Sequence, residues 1–549
     1  MRSLKSSSLL ILLLSYFSSL AYFPQPGDSI NKEYVNWYNM DPASDKILGA
    51  AVEKAYTELL TDKPAAKTIV VAVIDAGVDI YHEDLVGRIW TNADEIADNG
   101  IDDDNNGYID DVHGWNFIGN KKGENINHAN LEMTRVIREY EPIFNKLGEN
   151  IPDSLKTVHA MYKLAREDYD KQYENYKKRF DVYADFKDYY TKQETVLKEK
   201  LNKEYIVEAD LANVQASSDE LRKAKNFFSN LYSKGFSHKD FMETYNYLDM
   251  KVNYHLNLGF DPRTIIGDNI SDMSKVHGNN NVKGPRCDHG TLVSGVIGAT
   301  RNNGIGVNGI ADNIQIMVLR TVPDGDEYDK DVAMSIIYAV DNGANIINMS
   351  FGKDYSPQKK LVDQALKYAA AHNVLLVHAA GNDAANSDKQ NNFPSDYYGN
   401  TDTLQAWLTV GASDRKKGKR IPAVFSNYGA STVDLFAPGV NIVSTLPESR
   451  YEVTQGTSFA GPVVTGVAAL VWSRYPELTA VELKDILMQS TTTDYYKKKV
   501  IQPSEERGGG TKVRFYTLSQ TGGIVNAYQA LLLAEQKTSD TSTVNKASK

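Results

Sequence analysis

Residues 68–80 read TIVVAVIDAGVDI, an unbroken β-branched and apolar run that ends in an aspartate and a glycine turn. A run with no polar alternation must be covered on both sides, so it predicts a buried strand of a parallel sheet that delivers Asp75 at its carboxyl end. Similar runs recur at 314–320, 344–352, 374–382 and 407–413. Helical patterns at 331–343 and 357–373 separate them, the second with a proline in its first turn. This alternation predicts an α/β fold with a doubly wound, mostly parallel sheet, whose ligands bind beyond the strand carboxyl ends.

The stretch from 120 to 262 has a different composition, rich in Lys, Glu, Asp and Tyr. Tyr169, Tyr173, Tyr176, Phe180, Tyr183 and Tyr190 fall at three-and-four spacings, which predicts a long helix packing on a neighbour, a helical hairpin inserted between two core elements. The interleaved acidic residues and the net charge of -11 exclude the basic face that nucleic acid requires. Residues 536–549 are polar and predict a disordered tail.

The first 21 residues place Arg2 and Lys5 before a short apolar run that ends in Ser19-Leu20-Ala21, the layout of a secretory signal cleaved after Ala21. The expected location is therefore secreted or periplasmic. No later stretch approaches 18 apolar residues, so no membrane contact is expected after signal removal, and a monomer is the expected state. The single cysteine, Cys287, can form no internal disulfide, which leaves packing and metal as the sources of stability outside the cell.

Three motifs carry chemistry. Asp75 ends the first strand in VIDAGVD, His289 opens HGTLVSGVIG, and Ser458 sits in GTSFAGPVVTGVAAL. Serine needs a base within hydrogen-bond reach, and the base needs a carboxylate to fix its tautomer and stabilise the imidazolium. Asn382, at the end of VLLVHAAGN, supplies an amide that can donate to an oxyanion together with a backbone N–H at a helix start. Cys287 beside His289 could make a thiol enzyme, but Ser458 stands in the stronger motif. The acidic run 102–111 places Asp102, Asp104 and Asn106 at alternate positions, followed by Gly107 and Asp110, the oxygen donors and sharp turn of a calcium loop.

These four motifs, in this chain order, resemble the subtilisin-like serine proteases, the subtilases. The resemblance covers roughly 67–119 and 263–535 and implies a catalytic domain of those residues. It leaves 22–66 as an N-terminal segment packed on the core, with no separate prosegment, and 120–262 as the insertion. It implies Asp75, His289 and Ser458 as the triad, Asn382 as oxyanion donor, and protein or peptide substrates. Ser350, Phe351 and Gly352 would then belong to the strand that pairs with the substrate backbone, while Ala379, Ala380 and Gly381 would line the pocket for the side chain before the scissile bond. A second calcium site is implied in RNNGIGVNG (301–309), with Asn303 giving a side-chain oxygen, Arg301, Ile305 and Val307 giving carbonyls, and Asp84 completing it. The sequence departs from the family at Ala76, where a hydroxyl residue is usual, and at Leu292 and Phe459, where histidine and methionine are common. The expected function is a secreted serine endopeptidase. A silent peptide-binding protein and a transpeptidase remain open on the same fold.

Overall fold

In the computed structural model of the protein, which describes residues 30–273, 276–398, 402–506 and 508–547, the β-branched run forms strand β1 (Ile69–Asp75). The expected export signal, 1–21, lies outside the described residues. Alternate residues of β1 serve opposite faces of the sheet. Ile69, Val71 and Val73 enter one hydrophobic cluster, and Ala72 and Ile74 enter the other. Both clusters exclude water, which is why the run carries no polar residue before Asp75.

Six further strands complete the sheet: β2 (Gly114–Asn116), β3 (Ile314–Arg320), β4 (Ile346–Met349), β5 (Leu375–Ala379), β6 (Trp407–Ser413) and β7 (Leu435–Pro438). Their order is β2-β3-β1-β4-β5-β6-β7, with every neighbouring pair parallel. The chain steps to opposite sides of β1 to make β3 and β4, so the sheet has its switch point there. The helices Asp288–Gly298 and Thr457–Arg474 cover one face, and Asp329–Asp341 and Lys359–Ala371 cover the other. Thr457–Arg474 is buried on nearly all sides, as expected of a helix that is apolar all round. Two strands stop short of the expected spans, since 350–352 and 380–382 run past the sheet as irregular chain.

The N-terminal segment contributes Trp37, Tyr38, Ala50, Val52 and Ala55 to the core on the Thr457–Arg474 face. Trp37 Nε1 donates to the carbonyl of Asn441 at 2.9 Å. At the other end, the last helix runs Ala527–Ala547, where a disordered tail was expected from 536. Ala527, Ala530, Leu531 and Ala534 anchor its start in the core, and the polar residues that follow contain no Gly or Pro to stop it.

Among the described residues the chain divides into two compact units, 133–260 forming one and 30–132 with 261–547 the other. In the first, Lys156–Leu201 is a single helix of 46 residues, about 69 Å long at the standard rise. Tyr183, Phe186, Tyr190 and Leu197 bury against Asp219–Ser233 and His238–Met250, with Phe228 and Phe241 among their partners. The expected hairpin is thus a long helix with two short partners in succession, because neither alone can cover its apolar face. Tyr169, Tyr183 and Tyr190 of the stripe are buried, and Tyr173, Tyr176 and Phe180 are half-buried.

Candidate active site

Asp75 has the same parity as Val71 and Val73, so its carboxylate enters the face covered by Asp288–Gly298. His289 lies in the first turn of that helix. A Cβ on the next residue, Gly290, would stand 2.2 Å from the carbonyl oxygen of Gly77 and 3.1 Å from Asp75 Cβ, so only glycine lets the helix approach this closely. The result is His289 Nδ1 at 2.8 Å from Asp75 Oδ1 and 2.9 Å from Oδ2. Ala76 N–H also donates to Asp75 Oδ1, at 2.7 Å, a main-chain donor at the residue that lacks a hydroxyl. Burial pulls the His289 pKa down, but the charge of Asp75 and its hydrogen bond outweigh it, and the net shift is upward. The His289 side chain keeps 39% of its surface exposed and lines the cleft.

Ser458 is the second residue of Thr457–Arg474, and its main chain is held in an unusual way. Pro462 stands four residues later in the helix and has no N–H to give the Ser458 carbonyl. The hydroxyl of Ser350, just past β4, donates to that carbonyl instead, at 2.9 Å. Behind it, Asn348 Nδ2 donates to Ser350 Oγ at 2.9 Å, and Thr465 Oγ1 donates to Asn348 Oδ1 at 2.9 Å. Ser458 Oγ in turn donates to the carbonyl of Ser350 at 3.2 Å. Among the described residues no hydrogen bond joins Ser458 to His289. The neighbouring Phe459 ring lies 5.6 Å from the imidazole centroid.

Asn382 Oδ1 accepts from the N–H of Thr457 at 2.9 Å and from its hydroxyl at 3.0 Å. With the oxygen fixed there, Nδ2 faces the space in front of the helix start. A Cβ on Gly456 would lie 3.6 Å from Ser458 N and 3.7 Å from Asn382 Nδ2, so the two nitrogens lie close to one point at the helix start. The turn carrying Asn382 is braced by Asn427, whose Oδ1 accepts from the N–H of Asp383 and of Ala385, each at 2.9 Å, and whose Nδ2 donates to the Ala380 carbonyl at 2.9 Å. Sequence reading did not single out Asn427 or Thr457, since each acts through a chain segment distant from its own.

A cavity of about 290 Å³ opens at the carboxyl ends of β3, β1 and β4, where the switch point predicts a ligand. Asp75, His289, Ser350, Phe351 and Arg320 line it, together with the Arg286–Asp324 ion pair. Arg320, another residue missed in the sequence, is buried, and burial lowers its pKa to about 10. Its Nε donates to the Ala76 carbonyl at 3.1 Å and its Nη1 to Asn116 Oδ1 at 2.8 Å. Gly352 and the 379–381 segment meet at Asn392, whose Nδ2 donates to the carbonyls of Ala379 and Ala380 at 3.1 and 3.0 Å. A Cβ on Gly352 would lie 2.2 Å from Asn392 Oδ1. Gly381 adopts φ of +101°, a conformation open to glycine.

The two expected calcium regions are separate. Loop 301–309 closes on the buried carboxylate of Asp84, which accepts from Asn303 Nδ2 at 2.7 Å and from Val307 N–H at 3.0 Å. Gly306 (φ +51°) passes so near that a Cβ would stand 2.3 Å from Asp84 Oδ2. Both Asp84 oxygens are thus held by N–H groups of the loop, and Asn303 Oδ1 accepts from the N–H of Ile305 at 3.1 Å. In the acidic run, Asp102 and Asp104 converge, and both accept from the N–H of Asn106 at 3.0 Å. Asp110 leaves the expected set. It adopts φ of +54° and caps the N–H groups of Asn99 and Gly100, each at 3.0 Å. Asp111 turns inward in its place, taking Asn106 Nδ2 at 3.2 Å and the hydroxyl of Tyr338.

Cys287 is 4% exposed, and burial pushes its thiol up to about 11, which makes it a poor nucleophile.

A sequence model described as the subtilase family matches residues 66–514. Alkaline elastase YaB from Bacillus sp. (strain YaB) is 37% identical over 205 residues, covering 37% of this chain and 50% of its own. A thermophilic serine proteinase from Bacillus sp. (strain AK1) is 39% identical over 188 residues, covering 34% and 43%. Subtilisin BL from Lederbergia lenta is 37% identical over 205 residues, covering 37% of this chain and 70% of its own. The chain thus spans about half the length of the first two relatives.

Proposed function

The chain belongs to the subtilase family, and from that premise we propose that it is an exported serine endopeptidase with Asp75, His289 and Ser458 as its triad. The observation that carries this reading is the Asp75–His289 pair at 2.8 Å, set at the switch point beside the start of the Ser458 helix.

Ser458 Oγ attacks the carbonyl carbon of the scissile bond, and its proton passes to the free nitrogen of His289. Asp75 accepts the Nδ1–H, holds the productive tautomer and stabilises the imidazolium. The oxyanion of the tetrahedral intermediate takes hydrogen bonds from Asn382 Nδ2 and Ser458 N–H, whose nitrogens both lie near Gly456. Collapse breaks the C–N bond, and His289 gives its proton to the leaving amine. Water, deprotonated by the same imidazole, then releases the acyl group and restores the serine. In the resting enzyme Ser458 Oγ rests on the Ser350 carbonyl. Catalytic hydrogen bonds are often long before substrate binds and tighten in the complex.

Ser350, Phe351 and Gly352 pair with the substrate backbone, and Ala379, Ala380 and Gly381 border the pocket for the residue before the cleaved bond. Asp84 and Asn303, with the carbonyls of Arg301, Ile305 and Val307, are the residues that would hold a calcium ion, which would tie the loop to the core. The chemistry it would supply is structural, a charge clamp in a chain with one cysteine.

The test is covalent labelling by a fluorophosphonate and cleavage of a peptide mixture, wild type beside Ser458→Ala. Labelling at Ser458 and hydrolytic products in the wild type alone are expected. No labelling of folded wild type would defeat the reading.

A further inference from the structure

We propose that His378 is a positioning residue for the peptide-binding edge at 350–352: by taking the Phe351 carbonyl, it aims the Gly352 N–H at the substrate main chain. The inference rests on the peptidase reading, which assigns that edge to substrate. His378 stands next to last in β5, is 2% exposed and has no part in the triad. Its register partner Met349 is the last residue of β4, so the main-chain ladder between the two strands stops at this pair. Two residues on, the carbonyl of Phe351 lies 2.8 Å from His378 Nε2. A carbonyl can only accept, so Nε2 carries the proton. The ring is neutral because burial lowers its pKa to about 4, and its centroid lies 5.3 Å from that of Trp407. A side chain thus adds one more rung where the two backbones part.

In a planar trans peptide the C=O and N–H point in opposite directions. The Phe351 carbonyl and the Gly352 N–H belong to one such unit, so a carbonyl held by His378 turns the N–H away from it. The neighbouring groups alternate in the same sense. Ser350 gives its carbonyl to Ser458 Oγ on the cleft side, and Lys353 pairs its N–H and carbonyl with Phe393. In an extended segment alternate residues share an edge, which puts Gly352 with Ser350. Among the described residues the N–H and carbonyl of Gly352 make no hydrogen bond. Gly352 has no side chain to restrain its torsions, and a Cβ there would stand 2.2 Å from Asn392 Oδ1, so a partner of the peptide unit itself has to set the direction of its N–H. His378 is that partner. Asn392 also holds the carbonyls of Ala379 and Ala380, so Gly352 adjoins the wall proposed for the residue before the cleaved bond. The substrate groups that reach this edge are therefore those on the amino side of that bond.

The test compares two anilides with the same leaving group. One carries a single acylated residue, the one preferred in the peptide mixture, and the other adds three residues on its amino side, so that only the longer extends to Gly352. His378→Leu keeps the bulk and removes the donor, and the ratio of kcat/KM, long over short, should fall about fivefold or more below that of wild type. His378→Gln carries an amide N–H at the same number of bonds as Nε2 and should recover most of the ratio. A loss shared equally by the two substrates, or no loss, overturns the inference, as does a folded Gln variant no better than the Leu variant. Circular dichroism establishes folding. If His378→Leu does not fold, His378→Asn, whose amide is one bond too short, takes its place; failure of both to fold makes the residue structural and overturns the inference. Fluorophosphonate labelling of the wild type separates the two readings. No labelling defeats the peptidase, whereas a labelled wild type with an unmoved ratio in the variant defeats the role of His378 alone.

Discussion

Ser350 and Ser458 hold each other by two hydrogen bonds that run in opposite directions: Ser350 Oγ donates to the Ser458 carbonyl at 2.9 Å, and Ser458 Oγ donates to the Ser350 carbonyl at 3.2 Å. The first bond exists because Pro462 leaves that carbonyl without its helical donor. A proline inside the helix thus fastens the proposed nucleophile to the strand end that borders the cleft.

Removing the Ser350 hydroxyl should misplace Ser458 without emptying the substrate site. Ser350→Ala is expected to lower kcat about tenfold to a hundredfold, the range of an unsatisfied buried carbonyl, with KM within about twofold. Ser350→Thr keeps the hydroxyl and should recover most of the rate. Steady-state kinetics on a peptide substrate check this, and an Ala variant equal to wild type counts against a positioning role.

Asn382→Ala should cost kcat on the order of a hundredfold or more, as loss of an oxyanion donor does. Thr457→Val removes the hydroxyl bond to Asn382 Oδ1 and the one the hydroxyl accepts from the Gly381 N–H, keeps the main-chain donor to Asn382, and should cost less, about tenfold. The order of the two effects, measured as kcat, tests whether Thr457 acts through the amide.

The raised pKa of His289 sets the acid limb of the rate profile. The base must be neutral, so kcat/KM should rise with pH through an apparent pKa above the 6.5 of free imidazole. Asp75→Asn removes the charge that raises it. The limb should then move to lower pH, and kcat should fall about ten-thousandfold because the tautomer is no longer held. The sign for stability is opposite to that for activity. A raised folded pKa gives a contribution that is complete below the unfolded value and lost as pH rises through the folded one. A limb unmoved in Asp75→Asn would contradict the pairing.

Chelation should lower the melting temperature. A ligand held at a thousandfold excess over its Kd contributes about 4 kcal/mol, so calorimetry with and without chelator should show a shift of several degrees. Asp84→Asn should reproduce part of that shift and reduce the response to further chelation.

Cys287 should be silent toward a thiol reagent in the folded protein and react once on denaturation, because its thiol is buried and titrates near 11. Cys287→Ala should keep near wild-type activity. Rapid native modification, or loss of activity in that variant, would show a thiol with a larger part.

The strands and the proposed reacting residues stand out in the sequence for different reasons. The run 68–75 is legible because burial on both faces leaves no room for a polar residue until the strand ends, and that first polar residue, Asp75, therefore marks the end itself. His289 and Ser458 were legible because glycines and other small residues crowd them, which the close approach of Gly290 to Gly77 explains. The insertion was legible as helix from its aromatic spacing, but its pairing was not, since spacing describes one face and names no partner.

Other residues of the site were invisible for a common reason. Arg320, Asn427 and Thr457 are ordinary in their own segments, and each acts through chain that folding alone brings near. Asp110 and Asp111 are adjacent and chemically identical, so no pattern could say which turns inward; the left-handed backbone at Asp110 decides it.

Local sequence by itself determined which segments are strand or helix and which carry the proposed nucleophile, base and orienting carboxylate, because side-chain periodicity and backbone sterics act within a few residues of one another. Only the tertiary structure decided what each proposed reacting group leans on: the Ser350 hydroxyl at the Ser458 carbonyl and the Thr457 grip on Asn382. Those contacts join positions far apart in the chain, and their energies depend on distances that no local pattern encodes.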